Sequence, residues 1–162
     1  MVEDNSRFEG GCACGNVRYR VNAPPMFVHC CHCRFCQRET GSAFVVNALV
    51  EGSKVEIRAG EPTPCRLPTE SGNPHIVYRC PECHIALWSE YSNGEKLRFI
   101  RVGTLDEPDR FPPDIHIFTS SKVPWTPIPN GALSVPEYYD MRQIWPPEQF
   151  ERLLAAVRPG HE

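Results

Sequence analysis

Residues 10–15 read Gly-Gly-Cys-Ala-Cys-Gly, and residues 80–83 read Cys-Pro-Glu-Cys. Each cysteine pair can form a tight turn that directs two sulfur atoms toward one point. Four thiolates are the ligand set of a closed structural zinc site, which here would join segments of the chain more than sixty residues apart. We therefore predict that Cys12, Cys14, Cys80 and Cys83 bind a structural zinc ion. The alternative is that they are unrelated buried thiols or form a transient disulfide.

A second group of cysteines lies in residues 29–36, which read His-Cys-Cys-His-Cys-Arg-Phe-Cys. If residues 29–33 are extended, Cys31 and Cys33 face one side of the strand, and Cys36 can turn back to join them. Three protein ligands with an exchangeable fourth position are typical of a catalytic zinc site. A thiol is the natural fourth ligand, because zinc lowers the pKa of a bound thiol enough to deprotonate it.

The neighbours of these three cysteines leave a second interpretation open. A closed zinc site would result if His29, His32 or Cys30 supplied the fourth ligand. His32 would otherwise be an exposed or core histidine, or a hydrogen-bond donor beside the site. We interpret Cys30 and Cys65 as small buried hydrophobic side chains, which is the usual role of a free cysteine.

Nine cysteines, eight of them in tight groups, are unusual for a chain of 162 residues. The number is odd, and residues 1–11 have neither the basic start nor the apolar stretch of a signal peptide, so metal-binding thiols are favoured over a disulfide framework. A formal net charge of −3 gives no field that attracts nucleic acid or an acidic membrane. No run approaches the roughly 18 apolar residues of a membrane-spanning helix. We expect one domain in a soluble cytoplasmic protein that binds neither nucleic acid nor membranes.

The 17 prolines exclude long helices and favour a mainly β fold with many turns. Residues 17–21 alternate apolar and charged side chains, as a half-buried strand does. Further short strands, whose spacing favours antiparallel sheets, are predicted at residues 43–50, 55–58, 75–79, 86–89, 97–102 and 115–118. One short amphipathic helix is predicted near the C-terminus, with apolar residues at 150, 153, 154 and 157. Pro147 would begin this helix and Pro159-Gly160 would end it.

The ordered motifs of the chain resemble those of the glutathione-dependent formaldehyde-activating enzyme (Gfa) family, which includes centromere protein V. The motifs are Gly10-Gly11-Cys12-x-Cys14-Gly15-x-x-Arg18-Tyr19, Cys31-His32-Cys33-x-x-Cys36 with Gly41-Ser42-x-Phe44, Tyr78-x-Cys80-x-x-Cys83-x-x-Leu87-Trp88, Gly103-Thr104-Leu105-Asp106, His116-Ile117-Phe118 and Ser121-Lys122-Val123-Pro124-Trp125. The resemblance divides the chain into an N-terminal tail (1–7), a zinc-binding β domain (8–126) and a Pro-rich extension with a short helix (127–162).

The resemblance implies an Mss4-like fold, with antiparallel β sheets and zinc-binding hairpin turns. It implies two zinc ions per chain: a structural one on Cys12, Cys14, Cys80 and Cys83, and a more labile one on Cys31, Cys33 and Cys36 that glutathione can approach. The family's reaction joins glutathione and formaldehyde to give S-hydroxymethylglutathione, and it is classed as that of a carbon–sulfur lyase. Two alternatives are a non-catalytic zinc-stabilised binding module and a thiol-redox enzyme that uses Cys65 or Cys30. A homo-oligomer is compatible with each.

Further side chains are candidates for roles in a turn, in proton transfer or in the core. The residue after Cys83 is His84, where the family usually has glycine, and a zinc-binding turn commonly requires a left-handed backbone there. Candidates for a proton donor to the developing alkoxide, by residue type, are His32, His116, Lys122 and Arg34. Aromatic residues that could line a pocket, but that we interpret as core, are Trp88, Phe118 and Trp125. Asp106 and Glu107 are predicted to be turn residues outside the site.

Overall fold

The protein is described here in a computed structural model that covers residues 6–69 and 72–158. Within these residues it is mainly β, as predicted, with ten strands and three α-helices. The strands are β1 (Phe8–Gly11), β2 (Arg18–Val21), β3 (Phe27–Cys31), β4 (Val45–Glu51), β5 (Val55–Ala59), β6 (Thr63–Leu67), β7 (His75–Arg79), β8 (Ala86–Glu90), β9 (Leu97–Arg101) and β10 (Ile115–Ile117). The helices are α1 (Arg34–Thr40), α2 (Met141–Ile144) and α3 (Pro147–Val157).

The strands form a three-stranded sheet, in the order β1-β2-β5, and a seven-stranded sheet, in the order β10-β3-β4-β9-β8-β7-β6. Every pair is antiparallel except β10 with β3, which is parallel and places His116 opposite Cys30. The expectation of antiparallel sheets is therefore correct except at this edge. A parallel neighbour is possible there because a long stretch of chain separates the two strands, whereas a hairpin would have made them antiparallel.

The sequence-based predictions do not include β1, β6, α1 and α2, and they include β3 only as a possible extended segment at residues 29–33. Strand β6 is at the edge of its sheet, where Pro64 can be accommodated because its missing N–H faces no partner. The edge position also exposes Cys65. The prediction that Cys65 is a buried hydrophobic side chain is therefore wrong, whereas Cys30 is buried as predicted, with 1% of its surface exposed.

Several residues between 127 and 158 pack against the sheet in one of the two buried apolar clusters, here called the second apolar cluster. Helix α3 begins at the predicted Pro147, and its Leu153 is buried with Trp145 against the sheet residues Phe27 and Leu97. The predicted stop at Pro159-Gly160 lies outside the described residues. Ahead of the helices, the backbone N–H of Val135 donates to the His116 carbonyl at 2.9 Å, so this segment runs beside β10.

The three aromatic residues interpreted as core have different environments. Trp88 is buried, with 1% of its surface exposed, and Phe118 is half-buried against the second apolar cluster. Trp125 is 74% exposed, so the core interpretation is wrong for it. It lies in a turn next to Thr126 and contributes its ring to neither buried cluster. None of the helices in the described part of the chain is long and apolar enough to span a membrane.

Candidate metal centres

The four-cysteine cluster consists of Cys12, Cys14, Cys80 and Cys83, whose sulfur atoms all lie within 4.8 Å of one another. The sulfurs of Cys12 and Cys14 are 3.5 Å apart, and those of Cys14 and Cys80 are 3.7 Å apart. Tetrahedral zinc with Zn–S bonds near 2.3 Å requires separations of about 3.8 Å. The donor set therefore fits a closed metal site, which would join the turn after β1 to the turn between β7 and β8.

The turn between β7 and β8 has the left-handed residue that the sequence suggested. His84 has φ 60°, and its N–H donates to the Cys80 carbonyl at 3.0 Å, while the Cys80 N–H donates to the Ile85 carbonyl at 3.0 Å. Hydrogen bonding from the backbone of Ile85 lowers the pKa of Cys83, which favours the thiolate that a metal binds.

The three-cysteine cluster consists of Cys31, Cys33 and Cys36, whose sulfurs also lie within 4.8 Å of one another. Cys31 ends β3, Cys33 is the N-cap of α1, and Cys36 is in the first turn of that helix. The backbone N–H of Cys36 donates to the Cys33 sulfur at 3.3 Å. Hydrogen bonds from Cys31 and Cys36 lower the pKa of Cys33 and so place negative charge on that sulfur. These contacts form three preorganised sulfur donors at a helix N-terminus.

A buried polar network lies next to the three-cysteine cluster, and sequence reasoning missed it. Arg101 on β9 donates to Glu39 of α1 at 2.9 Å, to Asn47 of β4 at 2.5 Å and to Ser89 of β8 at 2.9 Å. His75 contacts the same serine, with 3.1 Å between Nε2 and Oγ. An arginine at the end of a short apolar strand was the available signal in the sequence, but the sequence did not identify the residues that Arg101 contacts. The network fixes α1, and thus Cys36, against the sheet.

Two tyrosines interact electrostatically with cysteines of the three-cysteine cluster. The Tyr91 ring stacks on His75, with 4.3 Å between ring centroids, and meets Phe99 edge-on at 4.9 Å. Burial raises the pKa of Tyr91, and the charges of Cys36, Cys31 and Cys33 raise it further. Burial and the charge of Cys31 also raise the pKa of Tyr138. Both hydroxyls therefore keep their protons at neutral pH.

A cavity of about 400 Å³ lies between the sheet and the C-terminal helices. Tyr138 and Phe99 line it together with Leu49, Leu97 and Leu153. Its walls are mainly apolar, and they include residues from the segment after 126. Phe99, which also meets Tyr91 edge-on, therefore links the cavity wall to that tyrosine.

The four candidate proton donors are placed elsewhere. His32 and His116 contact each other and Cys30, and burial lowers the pKa of His32 to about 4 and also lowers that of His116, so both rings are neutral. The Lys122 ammonium donates to the carbonyls of Val123 and Thr126 at 3.0 and 2.6 Å. Arg34 donates to Gln37 on the exposed side of α1 at 2.9 Å.

The turn residues predicted to lie outside the site form ion pairs of their own. Asp106 pairs with Arg18, and Glu107 pairs with Arg110 at 2.7 Å.

Of the other possible fourth ligands, His29 contacts the Tyr139 hydroxyl, with 2.7 Å between Nε2 and the oxygen. Within residues 6–69 and 72–158, no histidine nitrogen belongs to the group of donor atoms that Cys31, Cys33 and Cys36 form within 4.8 Å of one another.

Comparison with known proteins gives one family. The model of the glutathione-dependent formaldehyde-activating enzyme family matches residues 7–121. A Halomonas elongata protein, provisionally named a glutathione-dependent formaldehyde-activating enzyme, is 26% identical over 125 residues, which are 74% of this chain and 80% of the relative. The crystal structure of a Rhodobacter sphaeroides protein covers 60% of this chain and 87% of its own, with 20% identity and a TM-score of 0.48.

Proposed function

Because the chain belongs to the glutathione-dependent formaldehyde-activating enzyme family, we propose that it adds a thiol such as glutathione to a small aldehyde such as formaldehyde, at Cys31, Cys33 and Cys36. One observation carries the proposal: three converging sulfurs, at the N-terminus of α1, with no fourth side-chain donor among them in the described residues. The Halomonas relative's name supports the same two substrates. In the reverse direction the reaction is that of a carbon–sulfur lyase.

The two cysteine clusters support one zinc ion each. Four thiolates suit a structural ion on Cys12, Cys14, Cys80 and Cys83, and three thiolates suit an ion with an open position. When bound at the three sulfurs, zinc would supply a position at which an incoming thiol loses its proton. The same picture favours a cytoplasmic protein, because all nine cysteines are free and clustered thiols persist in a reducing compartment.

The chain's own residues orient the sulfurs and supply a proton. The thiolate sulfur attacks the aldehyde carbon, a C–S bond forms as the C=O π bond breaks, and the oxygen takes up a proton from a donor, which is restored by the proton that the thiol released. We assign that proton to the Tyr91 hydroxyl, whose pKa is raised by burial and by the charges of the three cysteines, so that it holds its proton at neutral pH. His75 holds the Tyr91 ring by stacking, and Ser89 holds His75. The apolar walls of Phe99 and Leu97 limit water near the reacting groups.

The division of the chain belongs to the same proposal. Residues 1–7 would form a tail, residues 8–126 the zinc-binding domain, and residues 127–162 an extension. The family match supports this boundary, because it ends at residue 121. The extension would then add to the family's site a wall that carries Tyr138, which lines the adjacent cavity.

The test is the rate at which zinc-loaded protein interconverts formaldehyde, glutathione and their adduct, measured by exchange NMR with ¹³C-formaldehyde. We expect exchange faster than the spontaneous rate, at an unchanged equilibrium. Cys31→Ser should abolish the acceleration, whereas Cys65→Ser, at an exposed cysteine outside the clusters, should retain it. Tyr91→Phe should keep its zinc and lose about 10²-fold in rate.

If the exchange rate with fully zinc-loaded protein equals the spontaneous rate, this result would contradict the proposed catalysis and favour the non-catalytic zinc-stabilised module. A Tyr91→Phe variant that matches the parent in rate would contradict only the assignment of the proton donor. Zinc content, measured on the same samples, separates loss of metal from loss of chemistry.

A further inference from the structure

We infer that Cys30, His32 and His116 form a third metal site, here named the Cys-His-His cluster, which takes a borderline transition-metal ion such as Zn²⁺. It shares no ligand with either cysteine cluster, and it does not depend on the proposed reaction. Its three donor atoms lie within 4.8 Å of one another.

The separations of the donor atoms suit a tetrahedral ion. Cys30 Sγ is 3.5 Å from His32 Nε2, and His32 Nε2 is 3.0 Å from His116 Nδ1. With Zn–N bonds of about 2.0 Å and Zn–S bonds of about 2.3 Å, tetrahedral geometry requires roughly 3.5 Å between sulfur and nitrogen and roughly 3.3 Å between two nitrogens. The two separations are thus within a few tenths of an ångström of the tetrahedral values, and the third, between Cys30 and His116, is within 4.8 Å.

The pattern of contacts distinguishes a metal site from a proton relay. In a relay, the central histidine uses its two ring nitrogens for two different partners. Here the thiol and the second imidazole both approach the same nitrogen, His32 Nε2, while His32 Nδ1 is buried without a hydrogen-bond partner. Donor atoms that converge on one point are the arrangement of chelation.

The backbone holds the three side chains in place before any ion arrives. Cys30 and His32 are two residues apart on an extended segment and so face the same side, and β10 pairs His116 directly opposite Cys30. The His32 N–H donates to the Ile117 carbonyl at 3.0 Å. The Ser121 hydroxyl donates to the His32 carbonyl at 3.1 Å. Such fixed ligands lose little conformational entropy on binding.

The burial and the donor types of the Cys-His-His cluster determine which metal ions it can bind. Cys30, His32 and His116 are 1%, 0% and 8% exposed, so the cluster is closed to large ligands. Two imidazole nitrogens and one thiolate select Zn²⁺, Co²⁺ or copper over Ca²⁺ and Mg²⁺, which prefer oxygen. After burial, the neighbouring His116 and then Lys122 lower the pKa of His32, and the Lys122 ammonium is bound by the Val123 and Thr126 carbonyls. The Cys30 thiolate would compensate the ion's charge from inside the cluster.

The test compares zinc stoichiometry, by native mass spectrometry, in the full-length parent, Cys30→Ser, His116→Gln and the control Cys65→Ser, all purified with zinc present. We expect Cys30→Ser and His116→Gln to hold one zinc ion fewer than the parent, and Cys65→Ser to hold the same number. The difference of one ion carries the test, so it stands whatever the other two clusters bind. Near-UV circular dichroism verifies that each variant is folded.

A second measurement needs no variant. Anomalous diffraction from parent crystals, recorded on both sides of the zinc edge, should give a peak between Cys30 Sγ, His32 Nε2 and His116 Nδ1. Equal zinc content in Cys30→Ser and Cys65→Ser, or parent crystals with no peak at this cluster, would overturn the inference.

Discussion

Glu39 and Arg101 form an ion pair in the interior of the protein. Their Oε2 and Nη2 atoms are 2.9 Å apart, and the two side chains are 3% and 7% exposed. Glu39 is on α1, three residues after Cys36, and Arg101 ends β9, so the pair fixes the orientation of the helix that carries one of the three sulfurs. Arg79 adds a second contact to Glu39 from β7, at 2.5 Å.

Removing one partner of this pair should be costly. Glu39→Gln leaves Arg101 buried without its countercharge, and a broken buried pair costs about 3–5 kcal/mol. We expect a loss of that size in the free energy of unfolding, measured by urea denaturation, together with weaker retention of metal at the three-cysteine cluster. The matched control is Glu56→Gln, which removes a surface pair with Arg58 and should leave the midpoint nearly unchanged. Equal midpoints for the two variants would contradict the structural role assigned to Glu39.

The buried pair marks the limit of what the sequence could predict. Strand periodicity and paired cysteines are local signals, and they gave most of the strands, α3 and the members of the four-cysteine cluster. Helix α1 has seven residues and is capped by the cysteine motif itself, so it has too few turns to show a period. The partners of Arg101 come from α1, β4 and β8, and only the strand order brings them together. The exposure of Cys65 likewise depends on its position at the edge of a sheet, and that of Trp125 depends on a turn.

The burial of His75 should make stability depend on pH. Burial lowers its pKa in the folded protein to about 4, whereas an unfolded histidine titrates near 6.5. The unfolded chain therefore binds the proton first as the pH falls, and the neutral ring's contribution is present above about pH 6.5 and lost between there and pH 4. His75→Gln should flatten this part of the curve of unfolding free energy against pH, by up to about 3 kcal/mol.

The measurement for His75 is urea denaturation of metal-loaded protein at half-unit intervals from pH 8 to pH 4. Glutamine keeps an amide that can contact Ser89, so the variant tests the charge rather than the packing. Parallel curves for parent and variant across the whole window would show that another group controls the acid sensitivity.

Replacing His84 with a residue that tolerates its left-handed backbone should maintain or raise the thermal stability of the protein. A left-handed conformation costs a residue with a Cβ about 1–2 kcal/mol, most of all a β-branched one. We expect thermal stability in the order His84→Gly equal to or above the parent, and His84→Val clearly below it. The Cys80 and Cys83 sulfurs are untouched, so zinc content should be equal in the three proteins. A valine variant as stable as the glycine variant would contradict the strain at this turn.

The Tyr139 hydroxyl joins the C-terminal segment to the sheet. Its removal should lower the stability of the protein and loosen the attachment of that segment. Trp145 Nε1 donates to this oxygen at 2.7 Å, and the oxygen lies 2.7 Å from His29 Nε2 on β3. Burial lowers the pKa of His29 to about 4, so the ring is neutral and shares one hydrogen bond with the hydroxyl. Tyr139→Phe leaves an indole N–H and an imidazole nitrogen without a partner, at about 1–3 kcal/mol for each buried group. We expect a loss of about 2–4 kcal/mol in urea denaturation, and faster hydrogen exchange in α3.

The neighbouring Tyr138 supplies the control for this prediction, because it stacks on Tyr139 with 4.9 Å between centroids but is 47% exposed. Tyr138→Phe keeps the ring and should cost little stability. If both variants were equally stable, the segment after residue 126 would be held by apolar contacts such as Leu153 alone. Leu153→Ala, a buried truncation worth about 2–5 kcal/mol, would then be the larger perturbation of α3.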